Sequence, residues 1–137
     1  MTSVDAASSL IERTPYARFL GLEARRLDDG GLALVMPFQD RLIGNPILPA
    51  LHGGSTAALL ELTAIAQVAL DYPALRAPRP INVSVAYLRS GRPRDVVARA
   101  RVAKAGRRVA HVLAEAWQDD PANPIASLTA HFLLNLA

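Results

Sequence analysis

Glu61 is the only carboxylate in STAALLELTAIAQVAL, residues 55–70. An unpaired carboxylate among apolar side chains is costly to bury, and such acids collect at active sites. Glu61 fits a catalytic acid–base or nucleophilic group. It equally fits a narrow exposed stripe, or one half of a structural ion pair with an arginine. The same helix opens on His52-Gly53-Gly54. Two glycines let a ligand approach the backbone closely, and the first amides of a helix have no internal acceptor. Together with the helix dipole they suit a carbonyl oxygen that gains negative charge; a plain loop-to-helix turn is the alternative. Glu61 follows Gly53 by eight residues, roughly 10–13 Å along a helix rising about 1.5 Å per residue. One chain cannot easily bring both groups to the same carbon, but two chains paired antiparallel through this helix could.

The elements that must position these groups follow from composition and period. Alanine and leucine dominate residues 55–70, which contain neither Pro nor Gly, so helix is favoured. Apolar residues cover nearly its whole circumference, which predicts a core helix running from His52 to Leu70. Upstream, residues 8–20 read as a helix interrupted near Pro15 and ending at Gly21. LEARRLDD and GLALVMPFQ read as two strands around an Asp29-Gly30-Gly31 turn, and RLIGNPILPALHGG as loop. Downstream, INVSVAYL alternates Ile81, Val83, Val85 and Tyr87 with Asn82 and Ser84, a strand period. DVVARARVAKAG sets Arg99 and Arg101 against Val96, Ala98, Ala100 and Val102. RRVAHVLAEAW is mixed, while IASLTAHFLLNL sets Ser127, Thr129 and His131 against Leu128, Ala130, Phe132 and Leu134. Short turns between strands imply an antiparallel sheet, here one sheet round one helix: an α+β hot-dog outline in a single domain, residues 1–137.

Composition narrows the function. Cysteine is absent, which excludes disulfides and thiolate metal sites, and His52, His111 and His131 show no ligand spacing. No apolar run reaches bilayer length and the first residues lack a secretory pattern, so the expected compartment is the cytoplasm. Ten of the fifteen basic residues are Arg76, Arg79, Arg89, Arg92, Arg94, Arg99, Arg101, Lys104, Arg107 and Arg108, and that stretch holds one acid, Asp95. Such a segment suits a polyanion or a phosphorylated cofactor, and it also fits solvated strand faces. RNA-binding sheet motifs and a basic recognition helix are both absent, so nucleic acid is not the expected partner.

LHGGSTAALLELTA resembles the signature of hot-dog acyl-CoA thioesterases of the phenylacetate-degradation (PaaI-like) group, in which an acidic residue follows the second glycine by seven positions. Glu61 occupies that place. INVSVAYLRSGR, VAKAGRRVAHVLAEAW and IASLTAHFLL are similar to the strands that follow, so the likeness runs over about residues 14 to 136. It implies that Glu61 acts on a thioester as base or nucleophile, that Gly53 presents its amide to the thioester oxygen beside His52, and that Asn45 helps hold the carbonyl or water. Many members carry aspartate at the Glu61 position. Asn45 sits one residue further from His52 than is usual, and Pro49 falls where glycine is common; an Asn-Pro turn also accounts for Asn45.

The resemblance further implies a homo-oligomer, dimer or tetramer, with sites shared between subunits, acting on acyl-CoA without a metal or separate cofactor. Coenzyme A would enter as part of the substrate. Gly54, Arg89, Lys104, Arg107 and Arg108 are its expected contacts, the four cations meeting its phosphates, which a guanidinium holds in bidentate fashion. An acyl-thioester hydratase or dehydratase on the same fold, and a non-catalytic acyl-CoA-binding module, are the rival readings.

Overall fold

The computed structural model describes residues 2–75 and 78–134. Arg76 of the basic segment, and Asn135 and Leu136 of the expected closing strand, lie outside the described residues. The first helix, α1 (Ser3–Arg13), begins earlier than the sequence reading placed it, because Thr2 and Asp5 form a reciprocal capping box. It stops at Thr14 because Pro15 lacks an amide hydrogen, and Pro15 then opens α2 (Pro15–Leu20). Gly21, with φ of 70°, closes α2 in the left-handed conformation that a side chain would disfavour.

Strand β1 (Glu23–Arg26) turns into β2 (Leu32–Met36) around Gly30, whose φ is 88°. Asp29 fixes that turn by accepting from the Gly31 amide at 2.9 Å and from Arg99 at 2.7 Å. The Arg99 guanidinium, with the Gly31 amide second, holds the Asp29 carboxyl below its ordinary value. The region expected to be loop contains a 3₁₀ turn at Asp40–Leu42 and two short paired strands, β3 (Ile43–Asn45) and β4 (Ala50–Leu51).

The central helix α3 spans Gly53–Asp71, and β5 (Pro80–Tyr87), β6 (Val96–Ala105), β7 (Val109–Trp117) and β8 (Ala126–Leu133) follow. The six-stranded sheet runs β1-β2-β6-β7-β8-β5, antiparallel throughout. α3 packs across one face of it, against β2, β6, β7, β8 and β5. That face is rich in small residues (Ala98, Ala100, Ala110, Ala114, Ala116, Ala126 and Ala130 are all buried), so a helix can lie close. Leu59, Leu60, Ala64 and Val68 fill the gap from the helix side. Each fully buried leucine or valine contributes about 1.5–3 kcal/mol relative to exposure. Thr63 is buried too, and its hydroxyl donates to the Leu59 carbonyl at 2.7 Å.

α3 has the 19 residues expected for His52–Leu70, displaced by one position. It is long and apolar enough to cross a membrane by length and composition, where the sequence reading found no apolar run of that length. Its packing inside the sheet identifies it as a core helix. The expectation that it is covered on all sides fails in one respect. Gly54, Ala57, Ala58, Glu61, Leu62 and Ile65 share one stripe at 100° per residue, and none of them is fully buried.

The edge strand β5 departs from its pattern in the same direction. Val83 and Tyr87, opposite the buried Ala130 and Ala126, point to the helix side of the sheet yet stay 42% and 59% exposed, and Ile81, at a register shift, is 57% exposed. Alternation correctly marked the strand and its apolar face. Among the described residues, nothing fully covers these three side chains.

Candidate active site

The start of α3 is built by its capping residue. His52 has extended backbone and accepts the Gly54 amide on Nδ1 at 2.9 Å, which puts the proton of the neutral ring on Nε2. The Ser55 amide goes to the His52 carbonyl at 3.1 Å. The Gly53 amide has no acceptor among the described residues, so it is the free donor at the positive end of the helix. Expected to be a substrate contact, Gly54 has its amide occupied by His52. The strand pair β3–β4 presses on the same corner: a Cβ at Gly44 would lie 2.6 Å from the His52 Cα, so residue 44 must remain glycine.

Tyr87 is the neighbour of Gly53 that sequence reasoning did not single out. Its hydroxyl donates to the Gly53 carbonyl at 3.0 Å, and a Cβ at Gly53 would meet its ring at 3.0 Å. The signal was present, as Tyr87 closes the inward-facing row of β5, but the row alone does not say which helix residue lies opposite. Tyr87→Phe should lower kcat/KM roughly 3- to 10-fold, the cost of about one net hydrogen bond. Steady-state kinetics with a thermal melt checks this, and an unchanged rate would limit Tyr87 to packing.

Gly53 and Tyr87 line a cavity of about 340 Å³ together with Ala50, Leu51, Thr56, Leu88, Arg89, Ser90, Gly91, Ile125 and Ala126. Glu61 is not among its walls. It lies two turns further along α3, half-buried on the open stripe, with no ion-pair partner among the described residues. Among the described residues the structural ion pair is therefore absent, and so is a direct meeting of carboxylate and amide. Asn45 uses its Oδ1 in a turn, accepting from Ile47 at 3.0 Å and Leu48 at 3.2 Å. Its amide nitrogen has no partner among the described residues.

The basic residues divide between two ends of the sheet. Arg89 follows β5 at the end that holds Tyr87 and Ala126, and it lines the cavity beside Gly53. Lys104, Arg107 and Arg108 sit at the β6–β7 turn, at the end that holds Leu133. From Ala126 to Leu133 is about 23 Å at roughly 3.3 Å per residue. Arg94 and Arg99 are already paired, with Asp119 at 2.8 Å and Asp29 at 2.7 Å.

His111 and His131, distant in sequence, are cross-strand neighbours whose rings stack with centroids 4.9 Å apart. His131 Nδ1 lies 2.9 Å from the side-chain Oδ1 of Asn82. Parallel rings do not converge on a common point. Among the described residues, no group of three His, Cys, Asp or Glu side chains is placed to hold a metal.

A helix that offers a free amide at its glycine start, with a lone carboxylate two turns on, inside an antiparallel sheet, matches a known group of proteins. The family profile described as the acyl-CoA thioesterase N-terminal domain matches residues 44–133. The chain belongs to the acyl-CoA thioesterase family. A medium/long-chain acyl-CoA thioesterase, YigI of Salmonella typhimurium, is 31% identical over 133 residues, covering 88% of this chain and 85% of the relative.

Two solved structures share the fold. A phenylacetic acid degradation-related protein from Ralstonia eutropha JMP134 has a TM-score of 0.77 at 23% identity, covering 94% of this chain and 99% of that one. A Bacillus halodurans protein solved with CoA has a TM-score of 0.79 at 22% identity, covering 97% and 89%. The hot-dog arrangement and thioester hydrolysis of an acyl-CoA, read from the His-Gly-Gly helix, agree with these findings.

Proposed function

We propose that this thioesterase, of the PaaI-like kind, hydrolyses acyl-CoA in sites completed by a second copy of the chain. The observation that carries this reading is the open stripe of α3. Residues 53 and 61 are symmetric about residue 57. Two α3 helices packed antiparallel about a two-fold axis at Ala57 would set Gly53 of each opposite the partner's Glu61. Small residues at Gly54, Ala57 and Ala58 permit the close approach. The uncovered side of β5 supports the same partner. It is an edge strand with free backbone groups and exposed Ile81, Val83 and Tyr87, which antiparallel pairing with its copy would cover. Ile47 and Leu48, 91% and 65% exposed, add apolar surface beside the helix start. The oligomer is thus a dimer at least, and a pair of dimers is the tetrameric form.

In that site the Gly53 amide donates to the thioester oxygen as it gains charge. The partner's Glu61 removes a proton from water or attacks the carbonyl carbon itself. The Asn45 amide nitrogen orients the carbonyl or the water, and His52 holds the helix start. No metal or separate cofactor is required, since a polarising donor and a carboxylate suffice for acyl transfer to water. Coenzyme A takes part only as the leaving thiol.

The same two-fold axis carries the partner's β6–β7 turn towards the Gly53 end, which would let Lys104, Arg107 and Arg108 serve the neighbouring site while Arg89 serves its own. Neutralising Arg107 and Arg108 together should raise KM for acyl-CoA and leave a truncated acyl-pantetheine almost unaffected. Salt should mimic the change, because exposed charges are screened over about 8–10 Å. A KM indifferent to both would leave these arginines as a solvated face.

The direct test of the activity is release of free CoA thiol from short, long and aryl acyl-CoAs by the purified protein. Hydrolysis of at least one class is expected. Hydration of an enoyl-CoA without hydrolysis would instead establish the hydratase reading, and binding without turnover the non-catalytic one.

A further inference from the structure

Beside the Gly53 cavity lies a second one of about 590 Å³, sharing Arg89, Ser90 and Ile125 with it. One wall comes from the 89–94 segment after β5, through Arg89, Ser90, Arg92 and Arg94. Surface connections without regular structure are ordinarily mobile. This one is tied down along its length. The Leu88 and Arg89 amides both donate to the Ile125 carbonyl, at 2.8 and 3.2 Å, and the Leu51 amide donates to the Gly91 carbonyl at 2.9 Å.

The most complete tie is a single side chain. Gln118, just beyond β7, accepts the Arg92 amide on Oε1 at 2.9 Å. Its Nε2 donates to the Arg92 carbonyl at 2.8 Å and to the Arg94 carbonyl at 3.3 Å. It pairs with the Arg92 peptide on both sides, as an added strand would. The next residue, Asp119, takes the Arg94 guanidinium at 2.8 Å. Asp120 on the same wall is engaged with the Ala122 amide at 2.9 Å. Arg89 and Arg92 are left exposed and without an acidic partner among the described residues.

We propose that Gln118 is a positioning residue for substrate binding: it clasps the 89–94 segment so that Arg89 and Arg92 meet the phosphates of the CoA nucleotide in the cavity adjoining Gly53. The proposal rests on the acyl-CoA reading above. A guanidinium recognises phosphate through a fixed fork of donors, so its value depends on the backbone that carries it being held still. Gln118 provides that hold without touching substrate. Its contribution belongs in KM for substrates bearing the nucleotide and not in the chemical step.

Gln118→Met keeps the length and bulk of the side chain and removes all three hydrogen bonds. KM for acyl-CoA should rise about 10-fold, the order expected when ordering by hydrogen bonds is lost. KM for the matching acyl-pantetheine should change less than twofold by comparison, and the salt dependence of KM for acyl-CoA should flatten as fewer fixed charges meet phosphate. A melting temperature measured alongside separates this from simple destabilisation. If the ratio of the two KM values stays at the wild-type value, the proposal is overturned, whatever the melting temperature does. Should the wild-type protein hydrolyse neither thioester, that result counts against the thioesterase reading. The clasp is then read from the affinity for adenosine 3′,5′-bisphosphate by calorimetry. Weakening of that affinity by the same factor supports the clasp, and an unchanged affinity overturns it.

Discussion

Glu61→Gln should lower kcat by at least about 10²-fold, the lower end of what a positioned base contributes. The amide keeps nearly the same shape and can still hydrogen-bond, but it neither accepts a proton as a carboxylate does nor attacks a thioester. Stability discriminates between roles. Glu61 is half-buried and has no ion-pair partner among the described residues, so its replacement strands no buried opposite charge. The melting temperature should hold or rise, because a carboxylate that loses water at the helix stripe is removed. A structural role would give the reverse pattern, with a lower melting temperature and per-molecule activity nearly intact. Glu61→Asp refines the result. It keeps the charge and shortens the reach by one methylene, so partial activity would show that distance to the reacting carbon sets the rate. Thermal unfolding with steady-state kinetics on both variants decides the matter. A fully active Gln variant would end the mechanism and leave the fold as described.

Most of the fold was legible because binary patterning is explicit here. Two-residue alternation in residues 96–102 and 125–134 placed Ala98, Ala100, Leu128, Ala130 and Phe132 inward, where the structure buries them. The α3 sequence was equally explicit in type, yet its period said nothing of the open stripe, since alanines and leucines surround Glu61 on every side. That stripe is a consequence of chain count. β5 shows the same limit: its apolar row was visible, but its edge position depends on β8 lying between it and β7, through pairs as distant in sequence as Pro80 and Phe132.

His52, Gly53 and Glu61 were legible as candidates because the spacing on one helix fixes their relative placement. Tyr87 and Gln118 were not, because each makes a contact that only the folded sheet creates. Gly54 shows the opposite case. Its place in the motif marked it as a substrate contact, and the local geometry of the cap spends its amide on His52.

Mixing two inactive variants should restore activity, and this is the sharpest consequence of a site divided between subunits. Gly53→Val places a branched side chain where a Cβ alone would come within 3.0 Å of the Tyr87 ring, so the helix start and its free amide are displaced. Glu61→Gln leaves that corner intact and removes the carboxylate. Each homodimer should be nearly silent. In a mixed dimer under the two-fold arrangement, one site combines the valine corner with the glutamine and is doubly damaged. The other combines an intact Gly53 corner with an intact Glu61. Random exchange puts half of the chains in mixed dimers, each with one working site of two, so activity should recover to about a quarter of the wild-type value. Co-refolding the two variants, with light scattering to verify the dimer and a melt to verify folding, provides the measurement. If both groups belonged to one chain's site, every chain in the mixture would remain defective in one of them. No recovery would appear at any mixing ratio, and the antiparallel pairing about Ala57 would be wrong.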